Sequence, residues 1–317
     1  MGADLLLGDP RGWPHPVRLI GLAVERGQRW IWARKLSPAL ERLAGLLLWL
    51  AIVGGTWGLA WAGLAGAKAL AAPLAWLVGG WMVFTSLSLK DLLSHLEPIR
   101  AALGRNDLQE ARTKLALVVG RETGSLDRTG IVRAALETLA ENLSDGVIAP
   151  LFFILLAGPA GGLAYKAVNT LDSMVGYKHP PFTHLGFFPA RLDDVFNFIP
   201  ARLTFLFLAV GSLGLGLNPG RACRVALAEH GRTTSPNAGW PEAALAGALG
   251  VSLLGPATYA GQKVDKPYLY QEGQEPGLDD LKKGMKLTWT AGLLAYGLAT
   301  GVAVLAFGPH ELGLFSA

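Results

Sequence analysis

Two long apolar runs separated by a single charge constrain this chain more than any other feature. They extend from Leu43 to Ala67 and from Ala69 to Leu89, contain no charged side chain, and are parted only by Lys68. A helix rises about 1.5 Å per residue, so about 20 apolar residues cross the hydrocarbon core of a bilayer. Each run therefore predicts a membrane-spanning helix, and the pair predicts a tight hairpin whose two flanks share a compartment.

The composition extends this prediction to the whole chain. Of the 317 residues, 51% are hydrophobic and only 16% are charged, against about 25% in average soluble domains. The net charge of +4 is spread among the loops, which excludes nucleic acid as a partner. We expect an all-α, polytopic integral membrane protein, one domain over residues 1–317, with spans at about 43–67, 69–89 and 287–309.

Two further apolar segments have no single interpretation. The glycines of GPAGG at 158–162 break the segment 146–165, and the segment 203–217 is short for a crossing. Each is either a span or part of an embedded, re-entrant helical pair whose irregular backbone is covered by protein. The basic stretch 90–145 predicts cytoplasmic helices by the positive-inside rule, one of them beginning near Asp127 or Thr129.

Polar groups concentrate in an otherwise apolar neighbourhood after residue 164. Lys166, Asn169 and Asp172 recur at helical spacing, so they share one side of a helix. Burying such groups is costly unless each meets a partner, a metal or a charged ligand. The pair Asp193 and Asp194 is either a structural ion-pairing site or a metal site, and a functional site is the leading interpretation. The same stretch also contains Lys178, Arg191, Asn197 and Arg202.

A second polar stripe precedes it. Residues 133, 137, 141 and 145 repeat every four positions as Arg, Glu, Glu and Asp. Such a stripe is either a solvated helix face stabilised by pairs at i and i+4, or one wall of a site. We expect the groups from Arg121 to Arg202 to converge on the cytoplasmic side of the membrane as one magnesium and phosphate pocket.

Five strings identify a family resemblance: DLLLGDPRGWPHPVRLIG at 4–21, ENLSDGVIAPLF at 141–152, AYKAVNTLDSMVGYK at 164–178, ARLDDVFNFIPARLT at 190–204 and SPNAGWPEAALAGALG at 235–250. Together they resemble the CobD/CbiB family of adenosylcobinamide-phosphate synthases. The resemblance implies an inner-membrane ligase that joins a propionate of adenosylcobyric acid to (R)-1-amino-2-propanol or its O-phosphate. It implies ATP as a substrate and Mg²⁺ as a cofactor; no Walker A string is present.

That chemistry assigns expected roles to the polar residues. Carboxylates hold Mg²⁺, cations hold phosphates, and a base takes a proton from the attacking amine. The expected metal ligands are Asp145, Asp193 and Asp194, and the expected catalytic residues are Glu137, Glu141, Lys166 and Asp172, with Glu141 or Glu137 as the base. The expected substrate-binding residues are Arg121, Asn142, Asn169, Lys178, Arg191, Asn197, Arg202, Asn237, Asp9, His15 and Arg18.

Two other functions fit a polar membrane protein. Embedded charges beside broken helices also mark transport pathways, so a carrier for corrinoids or other large anions is the alternative. A scaffold that gathers other cobalamin-pathway enzymes is a third, although it does not need charged motifs this dense.

Overall fold

The computed structural model describes residues 1–8, 15–259 and 261–311. The chain is 75% helical with almost no strands, which confirms the all-α prediction. The helices are α1 (Gly2–Leu7), α2 (Pro16–Trp32), α3 (Pro38–Leu70), α4 (Ala72–Ser86), α5 (Leu89–Gly104), α6 (Leu108–Leu115), α7 (Arg128–Leu143), α8 (Ala149–Val175), α9 (Phe187–Phe196), α10 (Phe198–Leu213), α11 (Pro219–Glu229), α12 (Gly239–Leu249) and α13 (Leu278–Glu311). The strands are β1 (Leu253–Leu254), β2 (Ala257–Tyr259), β3 (Gln262–Val264) and β4 (Tyr268–Leu269).

Long apolar helices make this a multi-pass membrane protein. In the part of the chain that the structure describes, four segments are long and apolar enough to cross a bilayer: Pro38–Leu70, Ala72–Gly104, Arg128–Val175 and Leu278–Ala306. The bent pair α9 and α10 qualifies as a fifth only when both helices are counted together. The first, second and fourth segments contain most or all of the three predicted spans.

The first hairpin reverses at Ala71 rather than at Lys68. Helix α3 continues through Lys68, and Ala71 is extended with φ −165° and ψ 138°. A cation is favourable in the last turn of a helix, so Lys68 has no reason to end one. Pro73 lies in the first turn of α4, where a missing N–H costs nothing, so it marks the restart.

Contacts between residues divide the chain into two compact units. Unit 1 contains residues 1–88, 149–197 and 301–317, and unit 2 contains residues 89–148 and 198–300. Each unit therefore joins stretches that are distant in the sequence. The single-domain organisation stays a prediction.

The core of unit 1 lies where α2, α3 and α8 meet. Its fully or nearly buried side chains come from all three helices and from the loop before α9: Ile20, Val24, Ile31, Trp49, Val53, Val168, Leu171, Val175 and Leu185. Much of the remaining surface of α3 consists of exposed leucine and tryptophan side chains, including Leu47, Leu59 and Trp61. Exposed apolar side chains at this density are what lipid covers in a spanning helix.

Helix α8 folds back on itself. The backbone leaves the helical region at Ala157 and at Gly158, where φ is +68°. Phe153 and Tyr165 stack with their ring centroids 5.2 Å apart, and a Cβ added to Gly161 would lie 2.5 Å from the carbonyl oxygen of Phe153. In one straight helix residues 153 and 161 would be about 12 Å apart. The segment predicted as ambiguous therefore contains a helical pair, and its placement across the membrane or embedded within it stays a prediction.

Unit 2 is built on packed helices with a small strand region. Buried leucines of α5, including Leu92 and Leu96, form its core together with Leu115 of α6 and Ile131 of α7. Asp127 caps α7 by accepting a hydrogen bond from the Gly130 N–H at 2.7 Å, which confirms the predicted start. Strands β1 and β4 pair antiparallel, as do β2 and β3.

Candidate functional site

A pocket of about 310 Å³ opens inside unit 2. Its walls come from the segment before α7, from α7 itself, from the start of α12 and from the strand region. Three of the predicted residues line it, namely Arg121, Glu137 and Glu141. The lining also contains polar residues that the sequence analysis missed, among them Arg232, Glu242, Tyr259, Asp265 and Lys266.

A buried ion pair forms one wall of this pocket. The guanidinium of Arg121 donates to Oε2 of Glu137, and the two side chains are 14% and 3% exposed. Oε1 of Glu137 accepts the backbone N–H of Leu254 at 2.9 Å. Burial alone lowers the pKa of Arg121, but the charge and the hydrogen bond of Glu137 outweigh it, so this pKa is raised. Both oxygens of Glu137 are thus engaged in holding the pocket together.

Glu242 is the most unusual group in the pocket. It lies on the alanine-rich helix α12, is 5% exposed, and its Oε2 has no hydrogen-bond partner among the described residues. Burial raises the pKa of its carboxyl well above the usual range, and the negative charges of Glu137 and Glu141 raise it further. Arg121 and Lys266 act in the opposite direction. Burial and the neighbouring carboxylates therefore favour the neutral form of the Glu242 carboxyl.

Hydrogen-bond donors surround the rest of the pocket. Thr233, Thr234 and Ser235 lie in its lining beside Arg232 and Lys266. The ammonium of Lys266 donates to the hydroxyl of Tyr259 at 2.8 Å, and Arg232 donates to Oε2 of Glu229 at 3.0 Å. Cations and hydroxyls at one site are suited to phosphate oxygens.

The other predicted residues of unit 2 do not line this pocket. Asn142 is exposed and donates to the carbonyl of Thr138. Asp145 lies in the π-helical turn Ser144–Ile148. The guanidinium of Arg202 lies 3.5 Å from the ring centroid of Phe198. The backbone N–H of Asn237 donates to Oγ of Ser235, so Asn237 flanks the pocket lining.

A second polar cluster lies in unit 1. The carboxylates of Asp172 on α8 and Asp194 on α9 act on one another as like charges, and Lys178 acts on Asp172 as the opposite charge. Gly176 makes this arrangement possible, because a Cβ there would lie 1.9 Å from Oδ1 of Asp172. The sequence therefore brings two of its predicted carboxylates and one predicted cation together.

A buried hydrogen-bonded chain links α8 to the end of α9. The hydroxyl of Tyr165 donates to Oδ1 of Asn197 at 2.8 Å, and Nδ2 of Asn197 donates to Oδ2 of Asp193 at 2.9 Å. Asp193 and Asn197 are almost fully buried. A buried network of this kind fixes α9 against α8, and so positions Asp194, which follows Asp193, near Asp172.

The remaining predicted residues of unit 1 belong to α8, to α9 and to the start of α2. Lys166 and Asn169 are half-buried on α8. Arg191 is exposed, with its guanidinium 5.8 Å from the ring centroid of Phe187. His15 and the exposed Arg18 begin α2, and Asp9 lies outside the described residues.

The described carboxylates offer a pair of ligands for magnesium rather than a complete set. Over residues 1–8, 15–259 and 261–311, no group of three or more His, Cys, Asp and Glu side chains is arranged to hold a metal ion. Mg²⁺ commonly takes one or two carboxylates and completes its shell with water and phosphate. The pair Asp172 and Asp194 fits that pattern, because a cation between them relieves their repulsion. The predicted set Asp145, Asp193 and Asp194 divides between the two units, and its role stays a prediction.

Comparison with known proteins gives one consistent result. The family model described as CobD/Cbib protein matches residues 1–288. The cobalamin biosynthesis protein CobD of Klebsiella pneumoniae is 45% identical over 299 residues, covering 94% of each chain. CbiB of Salmonella typhimurium is 43% identical over 297 residues, covering 93% of this chain and 92% of the relative. CobD of Citrobacter koseri is 42% identical over 305 residues, covering 96% of each chain. No solved structure matches. With a family model covering most of the chain and relatives of this identity along nearly all of it, the chain belongs to the CobD/CbiB family.

Proposed function

We propose that this membrane protein acts in cobalamin biosynthesis as an ATP-dependent ligase. It joins a propionate carboxylate of adenosylcobyric acid to (R)-1-amino-2-propanol or its O-phosphate. The printed names of its relatives, cobalamin biosynthesis proteins CobD and CbiB, support the pathway. The observation that supports the reaction type is the pocket of unit 2, which combines an ion pair with a buried carboxyl whose Oε2 has no hydrogen-bond partner and with donors suited to phosphate.

An amide bond needs two kinds of assistance. The carboxylate oxygen must first become a leaving group, which transfer of a phosphoryl group from ATP achieves. The amine must then lose a proton, because an ammonium ion has no lone pair to attack with. A site for this reaction therefore needs cations and hydroxyls for phosphates and a carboxylate for the proton.

The pocket of unit 2 supplies the second requirement and part of the first. Glu137 is bound to Arg121 and to the Leu254 N–H, so we do not assign the base to it. Arg232, Lys266 and the hydroxyls of Thr234 and Ser235 suit a phosphoryl group. A volume of about 310 Å³ lies at the lower end of ligand pockets, so the pocket fits the small amine substrate rather than the whole corrinoid.

The cluster of unit 1 is suited to magnesium and phosphate. Asp172 and Asp194 would hold Mg²⁺, with Lys166 and Lys178 as cations for phosphate oxygens. When bound, Mg²⁺ neutralises charge that develops on transferring phosphates. The protein's own contribution is to fix these side chains through Gly176 and through the chain from Tyr165 to Asp193.

The reaction is tested by product analysis. Purified protein is incubated with adenosylcobyric acid, ATP, Mg²⁺ and each amine in turn, and products are identified by mass spectrometry. We expect adenosylcobinamide or its phosphate. Asp194→Asn and Lys166→Met are expected to lower ligation at least about 100-fold, as loss of charge stabilisation commonly does. Glu275→Gln, which changes an exposed glutamate, is expected to leave the rate unchanged.

Two results would contradict the proposal. Absence of any ATP-dependent amide product from the wild-type protein removes the reaction itself. Full activity in both Asp194→Asn and Lys166→Met removes the role of the unit 1 cluster. Uptake of labelled corrinoid into vesicles without amide formation would favour the carrier instead.

A further inference from the structure

Glu242 has the properties of a group that awaits a ligand. Its side chain lines the pocket of unit 2 and is 5% exposed. Its Oε2 accepts no hydrogen bond from the described residues. An unsatisfied buried oxygen costs about 1 to 3 kcal/mol, so a protein retains one where a bound molecule satisfies it.

The charges around Glu242 indicate the kind of ligand. Glu137 and Glu141 face it from α7, Arg121 faces it from the segment before α7, and Lys266 faces it from the loop after β3. Arg121 is already paired with Glu137, and Lys266 donates to Tyr259. The carboxyls of Glu141 and Glu242 therefore give this end of the pocket an acidic character that a cation with N–H donors complements.

Other elements packed against α12 do not supply that cation. Arg202 of α10 lies 4.8 Å from the ring centroid of Trp240. Arg221 of α11 donates to the carbonyl of Gly247 at 2.5 Å. Arg232 of the turn after α11 donates to Glu229 and to the carbonyl of Tyr268. Among the described residues, the cations that act on Glu242 are therefore Arg121 and Lys266, and each already has another partner, so a cationic ligand complements the carboxyl groups here.

We propose that Glu242 binds the ammonium group of the amine substrate and accepts the proton that the amine loses before it attacks the activated carboxyl carbon. This assignment rests on the proposed ligase function. The step balances as follows. One proton passes from nitrogen to the Glu242 carboxylate, the nitrogen lone pair forms the C–N bond, and the C–O bond to phosphate breaks. The phosphate leaves with that electron pair and takes the second proton of the nitrogen as hydrogen phosphate.

The protonation state of Glu242 makes the proposal measurable. The neutral acid is favoured because burial and two neighbouring carboxylates raise the pKa of this carboxyl. An ammonium ion placed against it supplies the missing positive charge, and the carboxyl gives up its proton. Binding of the charged amine is therefore expected to release protons to the solvent.

The test is calorimetric titration of the full-length protein in detergent micelles with 1-amino-2-propanol at pH 7. Buffers of different ionisation enthalpy give the number of protons released. We expect release by the wild-type protein and by the control Glu275→Gln. We expect no release and binding at least about tenfold weaker for Glu242→Gln, which keeps the side-chain shape.

The outcomes separate this assignment from the ligase function. Amine binding by the wild-type protein without proton release, or no amine binding at all, overturns the role of Glu242 without any variant being needed. Equal affinity, proton release or ligation rate in Glu242→Gln and wild type also overturns it. Proton-linked amine binding that needs Glu242, in a protein that forms no amide, supports the ammonium-binding site while it removes the ligase reaction and the role of Glu242 as its base.

Discussion

The carboxylate of Glu137 shows how one residue can organise a pocket wall. It holds the guanidinium of Arg121 through Oε2 and the N–H of Leu254 through Oε1. Helix α7 is thereby fixed to the segment before it and to strand β1. Glu141, the other base predicted from the sequence, also lines the pocket.

We predict that Glu137→Gln destabilises the protein by about 3 to 5 kcal/mol, because it leaves the buried Arg121 without its counter-charge. The control is Glu25→Gln, which breaks the pair between Arg29 and Glu25, whose side chains are 73% and 42% exposed. Exposed pairs contribute about 0 to 1 kcal/mol. The measurement is unfolding in micelles by denaturant or heat. Similar losses in both variants would contradict the structural role of Glu137.

Glu242 predicts a pH dependence of stability. Its pKa is raised by burial above the value of 4.5 for the free group, so between these two pKa values the folded protein binds more protons than the unfolded chain. Its contribution to stability is present below pH 4.5 and is lost as the pH rises through the folded pKa. We therefore expect Glu242→Gln to gain stability relative to wild type as the pH rises above about 4.5.

The measurement is the melting temperature of wild type, Glu242→Gln and Glu275→Gln at pH 4.5, 6 and 7.5, values spaced over roughly the range in which a perturbed carboxyl titrates. A constant difference between wild type and Glu242→Gln across this range would show that the carboxyl is not perturbed. The exposed control is expected to follow the wild type throughout.

At the scale of elements, the reversal inside α8 depends on two adjacent glycines. A Cβ on Gly161 would lie 2.5 Å from the Phe153 carbonyl oxygen, and one on Gly162 would lie 2.6 Å from Cγ1 of Ile154. Alanine normally stabilises a helix relative to glycine by about 0.5 to 1 kcal/mol. Here the two halves of the helical pair approach too closely to admit a methyl group.

We predict that Gly161→Ala destabilises the protein by about 1 to 3 kcal/mol, the usual cost of overpacking. Gly55→Ala on α3 is the matched control, because nothing lies within 4 Å of its added Cβ. It is expected to be neutral or stabilising. Thermal unfolding of both variants in micelles is the measurement, and equal behaviour would contradict the close packing.

Helix starts were predictable wherever a residue at the helix terminus determines them. Pro16, Pro38 and Pro73 lie in the first turns of helices, and Asp127 caps another, all from short-range physics. The four strands of two or three residues were not predictable. Their segments are too short for a period of two to be visible, and their pairing is set by tertiary contacts.

For the whole molecule, the positive-inside rule predicts that α3 begins in the cytoplasm and ends outside. Cys223 is the only cysteine, so Cys223→Ser gives a background for labelling. In that background we expect a membrane-impermeant maleimide to label Ala71→Cys, and not Ser37→Cys, on intact cells. Both positions are exposed in the protein. The reverse pattern would invert the topology, and labelling at both would contradict a spanning α3.

Only part of the candidate site was predictable, because its residues differ in how strongly the surrounding sequence marks them as functional. The stretch 165–202 is dense in polar groups, so Asp172, Lys178 and Asp194 could be recognised before their proximity was known. Glu242 is a single charge in an alanine-rich helix, and the groups that perturb it come from α7 and the strand region. The one feature of the sequence that points to Glu242 is that it is a single charged residue within an apolar run.

The reversal at Gly158 limits which mutations this part of α8 can accept. Gly161 packs against the carbonyl of Phe153, and Gly162 packs against the side chain of Ile154. Each residue added to or removed from a helix rotates the residues beyond it by about 100° about the helix axis. Substitutions at the apolar positions can preserve these contacts, but the insertion or deletion of a single residue between positions 154 and 161 cannot. This stretch should therefore tolerate amino-acid substitutions but not insertions or deletions.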